Sequence, residues 1–307
     1  MNYTLHQLRL FLKIVETKSI TKTAEELFLT QPAVSIQLRN FQNQFDIPLT
    51  EIIGRQLFVT EFGFEIATIA KKILEDVDEI QYKMLSFKDI LAGRLKISIV
   101  STGKYVMPFF LKDYLKKYPN VELLMDVTNK QKVIKSLEMN EVDFALISVL
   151  PHTIKIESEI LLENKLFLMG NKAIHADNVV AEKKIFNEIP LIYREKGSGT
   201  RHVLETFFNK NQINAKMKMQ LTSNEAVKQA VVAGLGFSIM PLIGCKNELK
   251  TQELQIIPVS GFPIQSDWRL IWLKDKVLSP ISQSYLKFIR ENKNEIIDTD
   301  ISWISKY

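Results

Sequence analysis

One thiol, Cys245, stands in 307 residues. That excludes an intramolecular disulfide framework and a zinc site built from several cysteines. Histidines are few as well: His6, His152, His175 and His202 are scattered, with no HxxxH or HExxH spacing. No GxSxG elbow occurs, and the paired carboxylates Glu25 and Glu26 read as solvated helix surface. Cys245 follows Gly244 in an apolar region, the setting of a buried small residue. Catalysis therefore has no constellation to work with, and neither a metal nor a cofactor is expected. The stretch Gly234–Pro241 lacks the GxGxxG spacing of a dinucleotide site and reads as a buried strand with its turn. The longest apolar run, Val231 to Gly244, is too short to span a bilayer and contains Pro241. The opening MNYTLHQLRLFLKIVE interrupts its apolar residues with His6, Arg9, Lys13 and Glu16, unlike a secretory signal. A cytoplasmic chain without a membrane partner is the expectation.

What is present is an ordinary globular composition, 46% hydrophobic and 24% charged, with a length that suits about two domains. The net charge of +5 is unevenly placed. Residues 1–60 carry six basic and five acidic groups, residues 61–92 four and seven, and residues 93–307 the remaining 30 and 23. The overall basicity thus gives no argument for nucleic acid, because it lies at the wrong end for one.

The first ninety residues read as helices. Leu5, Leu8, Leu12 and Val15 recur at helical spacing. Ser19 or Thr21 can cap a second helix with Ile20, Ala24 and Leu27 inside, and Thr30 a third with Pro32 in its first turn. Val34, Leu38, Phe41 and Phe45 form the inner face of that third helix, leaving Gln31, Ser35, Gln37 and Arg39 outside. Two short helices joined by a tight turn, the second with a polar edge, make a helix-turn-helix arrangement. Leu49 to Thr60 reads as a hairpin or wing around Gly54 and Arg55. A long helix follows, its apolar stripe running Phe62, Ile66, Ile69, Ile73, Val77, Ile80, Met84, Phe87, Leu91. A 60-residue domain cannot cover such a stripe alone, so a second copy of the chain is the expected partner. Beyond Gly93 strands alternate with helices, an α/β pattern that predicts mostly parallel, buried sheets.

Thr30-Gln31-Pro32-Ala33-Val34-Ser35 has chemistry suited to DNA. Thr30 leaves a helix start free to approach phosphate, Gln31 carries an amide able to pair with adenine, and Pro32 offers apolar contact to a thymine methyl. Ser35 and Arg39 suit backbone contacts. A capped helix with a solvated polar face explains the same residues equally well. Gly197-Ser198-Gly199-Thr200-Arg201 joins a strand to a helix with glycines and free N–H groups that attract an anion, though a tight turn capped by Thr200 accounts for it as readily. Ser101-Thr102-Gly103 and Thr222-Ser223-Asn224 occupy equivalent strand-to-helix positions, and three polar loops of this kind fit a site at the carboxyl ends of strands.

TAEELFLTQPAVSIQLRNFQNQF, then IGRQLFVTEFG and the long helix, resembles the amino-terminal region of the LysR-type transcriptional regulators, and the resemblance extends over essentially the whole chain. It implies an N-terminal all-α winged helix-turn-helix domain over 1–60 and a linker and dimerisation helix over 61–92. An α/β effector domain over 93–307 follows, two-lobed like a type 2 periplasmic binding protein. Lobe I would comprise 93–165 and 266–307, and lobe II 166–265. By the same resemblance Gln31, Pro32, Ser35 and Arg39 sit in the major groove or on its phosphates beside the Thr30 helix start, and Arg55 reaches the minor groove. Ser101, Thr102, Ser148, Thr200 and Arg201 would line the cleft between the lobes. The GSGTR sequence is similar to family members governing carbon fixation or sulfur assimilation, which sense phosphorylated metabolites, nucleotides or sulfur oxyanions. The implied partners are operator DNA, a small anionic effector, and further copies of the chain in a homodimer or homotetramer. Ile36 departs from the many relatives with a polar or basic residue there, and Phe45-Asp46 and Leu49-Thr50 depart from the usual Leu-Gly and Leu-Phe. A solute-binding module would leave the first ninety residues unexplained. An enzyme on the same scaffold would need an acid–base or nucleophilic set that the sequence does not assemble.

Overall fold

The computed structural model describes residues 2–54, 56–86, 90–151, 153–171 and 181–307, which form two compact units, Met1–Ile90 and Leu91–Tyr307. Arg55, Phe87, His152 and His175 lie outside the described residues.

The first unit opens with α1 (Leu5–Thr17), started by a reciprocal capping box. The Gln7 N–H donates to Thr4 Oγ1 at 3.3 Å and the Thr4 N–H to Gln7 Oε1 at 2.9 Å. Its buried side is Leu8, Leu10, Phe11 and Ile14, rotated from the Leu5–Leu8–Leu12–Val15 stripe expected. Phe11 and Ile14 win the inner position because the Phe11 ring packs on Phe41 at 5.3 Å, which leaves Leu5 exposed. α2 (Ile20–Glu26) is capped by Ser19, and α3 (Gln31–Gln42) by Thr30 with Pro32 in its first turn. Val34, Leu38 and Phe41 are buried on the inner side of α3. Phe45 packs on the same core from beyond the helix end.

The wing is an antiparallel hairpin of β1 (Thr50–Ile53) and β2 (Gln56–Val59). Thr60 ties it to α4 (Glu61–Ser86): its hydroxyl donates to Pro48 O at 2.7 Å and accepts from the Gly63 N–H at 2.9 Å. Gly63 is obligatory at this junction, since a Cβ there would lie 2.1 Å from Leu49 O. The stripe of α4 is used in two ways. Phe62, Ile66 and Ile73 pack onto the first unit's own core, whereas Ile69, Ile80 and Met84 are exposed. The described part of the helix runs to Ser86, and residues 90–92 lie outside it. Leu91, expected on the stripe, packs instead on the core of the second unit.

The second unit begins with β3 (Gly93–Val100), a 3-10 turn (Ser101–Tyr105), α5 (Met107–Lys117), β4 (Val121–Thr128), α6 (Lys130–Glu138) and β5 (Phe144–Ile147). There follow β6 (Ile156–Asn171), β7 (Leu191–Arg194), α7 (Gly199–Lys210), β8 (Met217–Leu221), α8 (Asn224–Val232) and β9 (Ser238–Pro241). α9 (Lys246–Lys250), β10 (Leu254–Ile256), β11 (Ile264–Leu273) and α10 (Pro280–Ile296) come next, and short helical turns over residues 297–306 close the chain. The main sheet has seven strands in the order β10-β6-β11-β5-β3-β4, with β9 also on β6. β3 runs parallel to β4 and β5, and β7 parallel to β8. β6 and β11 run antiparallel to every strand they pair with, so the sheet is mixed rather than mostly parallel. The reason is the chain path: it leaves one lobe along β6 and comes back along β11, and an outward and a return strand lying side by side must be antiparallel.

Each long strand serves two cores. Leu161, Leu162, Trp268 and Leu270 belong to the first lobe with β3, β5, α5 and α10. Leu166, Leu168 and Ile264 belong to the second with Phe186, Tyr193, Leu204 and Phe237. At the crossing Asn164 lies opposite Ser266 and donates to its hydroxyl at 3.1 Å.

Candidate functional site

In the first unit, the outer face of α3 carries Gln31, Pro32 and Arg39 exposed and Ser35 half-buried, opposite the Val34–Leu38–Phe41 face. Gln31, Ser35 and Arg39 follow each other at four-residue steps and so share one edge of the helix. Ile36 joins them, 46% exposed, one turn on from Pro32. Thr30 accepts the Ala33 N–H at 3.4 Å, which fixes where the helix starts. The face is thus a short polar edge flanked by two apolar side chains, suited to base edges and thymine methyls together.

In the second unit a cavity of about 10 Å³, room for one water molecule, lies between the lobes. Its walls come from the carboxyl ends of four strands: Ser101 and Thr102 after β3, Asn129 and Lys130 after β4, Ser148 after β5, and Arg194 with Ser198, Gly199 and Thr200 after β7. Strand ends converge in this way because parallel β–loop–helix units all place their helix starts on one edge of the sheet. Three helical starts meet here, the 3-10 turn, α6 and α7. Among the described residues no side chain caps the first-turn N–H groups of the 3-10 turn or of α7, so these donors stand uncapped at the edge of the cavity.

Two cations border the space. Arg194 is 5% exposed and makes a forked pair with Glu195, at 2.8 Å from Nε and 2.9 Å from Nη2. Its Nη2 also donates to Ser101 Oγ across the lobes at 3.0 Å. Lys130 is the first residue of α6, half-buried, and burial holds its ammonium below the ordinary lysine value, with no carboxylate among the described residues acting to raise it. A cation at the amino end of a helix opposes the helix dipole, and no acidic residue lies in that first turn to offset it. The position is costly for a lysine in the bare protein and favourable once an anion lies beside it.

The sequence-derived residues divide accordingly. Ser101, Thr102, Ser148 and Thr200 come together around the cavity; Arg201 does not. Its Nε pairs with Glu205 at 2.7 Å, and its Nη1 donates to Arg194 O at 3.0 Å and Gln220 Oε1 at 2.6 Å. The guanidinium carbon lies 5.6 Å from the Tyr193 ring centre. One residue further along a helix is a rotation of about 100°, enough to turn Arg201 into the lobe, where it braces the strand end that carries Arg194. The third polar loop, Thr222-Ser223-Asn224, does not border the cavity either; Asn224 stands beside Tyr105. Sequence reasoning missed Asn129, Lys130 and Arg194. Thr128-Asn129-Lys130 carried the signal, a polar loop between a strand and a helix start. Cys245 is buried, its thiol donating to Pro241 O at 3.7 Å and pushed up to about 12 by burial, so it is no nucleophile at neutral pH. Among the described residues no group of three His, Cys, Asp or Glu could hold a metal, and no helix is long and apolar enough to cross a membrane.

Comparison with known proteins bears on both units. The family described as "Bacterial regulatory helix-turn-helix protein, lysR family" matches residues 5–64, and "LysR substrate binding domain" matches residues 88–294. The HTH-type transcriptional activator CmpR of Synechocystis sp. is 36% identical over 94% of this chain and 95% of its own. The regulatory domain of Synechocystis CcmR, solved in complex with 2-PG, is 31% identical with a TM-score of 0.63, over 66% of this chain and 97% of that one. Full-length CbnR, solved with its target DNA, has a TM-score of 0.76 at 18% identity over 94% of this chain and 99% of that one, a likeness of fold.

Proposed function

The chain belongs to the LysR family of helix-turn-helix regulators, and on that premise we propose that it is switched by a small phosphorylated carboxylate held between Lys130, Thr200 and the uncapped helix starts. It is a DNA-binding transcriptional regulator, not an enzyme. The observation that carries the effector reading is Lys130, a half-buried cation at a helix start, unrelieved by any carboxylate among the described residues, on the wall of a cavity rich in N–H and hydroxyl donors. The ligand class follows from CcmR, whose regulatory domain takes 2-PG, 2-phosphoglycolate. Ser101, Thr102, Ser148 and Thr200 supply hydrogen bonds to it. Arg194 supplies a second positive centre, and Arg201 acts at one remove by holding the Arg194 backbone. Isothermal titration of 2-phosphoglycolate into the full chain and into Thr200→Ala tests this. Saturable binding weakened by the substitution is expected; no binding of that compound, or of phosphate or sulfate, refutes it.

On the DNA side, Gln31, Pro32, Ile36, Ser35 and Arg39 enter the major groove with the Thr30 helix start on phosphate, while a minor-groove role for Arg55, which lies outside the described residues, rests on the family resemblance alone. The division into residues 1–60 for DNA, 61–92 for pairing and 93–307 for sensing fits these roles, and the site of action is the cytoplasm. The exposed Ile69, Ile80 and Met84 on α4 support pairing of two chains through that helix. An effector that binds one lobe arrangement more tightly than another shifts their balance, and paired chains would carry the shift to the DNA-binding units.

A further inference from the structure

We propose that Tyr105 is a latch that holds the two lobes shut against the effector, a regulatory contact lying outside the cavity. It rests on the anion-binding reading of the cavity and adds a residue that touches no ligand. Tyr105 ends the same five-residue 3-10 turn that begins with Ser101 and Thr102. Its hydroxyl crosses from the first lobe to donate to Glu225 Oε2 of α8 at 2.8 Å. The ring lies against Gly244, where a Cβ would come within 2.8 Å of it, so the second lobe keeps a glycine to receive it.

The receiving site is a built polar cluster. Lys228, its side chain 7% exposed, pairs with Glu248 at 2.7 Å and with Glu225 at 3.2 Å, and donates to Gly244 O at 3.3 Å. Its ammonium stands 5.7 Å from the Tyr105 ring centre. Burial alone would raise the Glu225 carboxyl. Hydrogen bonds from Tyr105 and Gln229, with the Lys228 charge, bring it below its ordinary value, so the acceptor is ionised and the bond charge-assisted.

One short turn therefore carries two ties between the lobes: Ser101 to Arg194 at its start and Tyr105 to Glu225 at its end. A cavity with room for one water cannot admit a phosphorylated carboxylate unless its walls separate, and those walls belong to different lobes. Separation about the β6–β11 crossing pulls Tyr105 away from Glu225. The effector-competent population is then set in part by the strength of this bond, and apparent affinity scales with that population.

Tyr105→Phe keeps the ring on Gly244 and removes the donor. Titrated with 2-phosphoglycolate, the full-length variant is expected to bind about tenfold more tightly than the parent, the scale of a hydrogen bond to a charged group. Its melting temperature should be little changed, because Glu225 keeps Lys228 and Gln229. Glu225→Ala should give a similar gain, and the double variant no more than either alone, since one contact is lost in each case. Unchanged or weakened binding in Tyr105→Phe overturns the proposal. A readout free of effector separates this from the cavity reading. Amide exchange of the turn 101–105 should be faster in Tyr105→Phe with no ligand present, and equal protection overturns the latch even if 2-phosphoglycolate binds neither protein.

Discussion

Replacing Lys130 with methionine should move binding and stability in opposite directions, a pairing that distinguishes a residue kept for a ligand from one kept for the fold. Two unit charges 4 Å apart at the effective dielectric near a protein surface attract by about 4 kcal/mol. Lys130 is only half-buried, so solvent screening reduces that to about 1–3 kcal/mol, a loss of roughly fivefold to 150-fold in 2-phosphoglycolate affinity. In the bare protein the sign reverses. The folded-state value of Lys130 lies below its ordinary one because of burial, so at neutral pH, where lysine is charged in both states, ionisation favours the unfolded chain. That cost vanishes only as pH rises past the ordinary lysine value. Methionine, of similar length and uncharged, should leave the unliganded melting temperature at neutral pH equal to or above the parent's. For the parent, anion affinity should decline at a pH below the ordinary lysine value as the Lys130 ammonium titrates. Titration calorimetry for affinity and scanning calorimetry for stability read both quantities on the same samples. Unchanged affinity, or a clear loss of unliganded stability, would refute the reasoning.

Arg201→Met should behave in the opposite way, lowering stability by about 1–3 kcal/mol because it strands the Arg194 carbonyl inside the lobe; a melting temperature equal to the parent's would contradict the bracing role. Gly63→Ala forces Leu49 O away from a Cβ at 2.1 Å, and should destabilise the first unit by about 1–3 kcal/mol, visible as an early melting step with loss of DNA binding. Ile36→Ala should weaken binding to a thymine-containing operator. Binding to the same operator made with uracil, which lacks the methyl, should be unaffected by the substitution; equal losses on both would show that Ile36 meets no methyl. Ile80→Asp with Met84→Asp should reduce the particle mass seen by light scattering, and an unchanged mass would place pairing elsewhere.

Legibility in the sequence followed the range of the interactions that decide each feature. The DNA-binding side was readable because its determinants are local: Thr30 caps, Pro32 sits in the first turn, and Val34, Leu38 and Phe41 repeat at helical spacing within one element. The place of Leu91 was not, since it continues the α4 stripe in register and only packing in the second unit takes it off the helix. β6 is strand for 16 residues, yet its first half does not read as one. Glu157, Glu159 and Glu163 mark the half whose outer face meets solvent, which breaks the apolar run. The polar loops Ser101-Thr102 and Ser198–Thr200 announced a site. That Lys130 and Arg194 join it depends on strand order across the sheet, which no local spacing encodes. Arg201 lies off the cavity because charge type carries no information on the angle of the helix that presents it.

The crossing of β6 and β11 also dictates an order of assembly. Leu166 and Ile264 are partners in one ladder, so the segment between them leaves and rejoins the first lobe at neighbouring points, as an insertion does. The core of the first lobe needs Trp268, Leu270, Tyr285 and Ile289 from beyond that insertion. During synthesis β5 emerges long before its neighbour β11, and the second-lobe core of Leu166, Phe186, Tyr193, Leu204 and Phe237 is complete while the first lobe still has one side of its sheet open. The half of the sensor that the ribosome makes first is the half that must wait for the end of the chain.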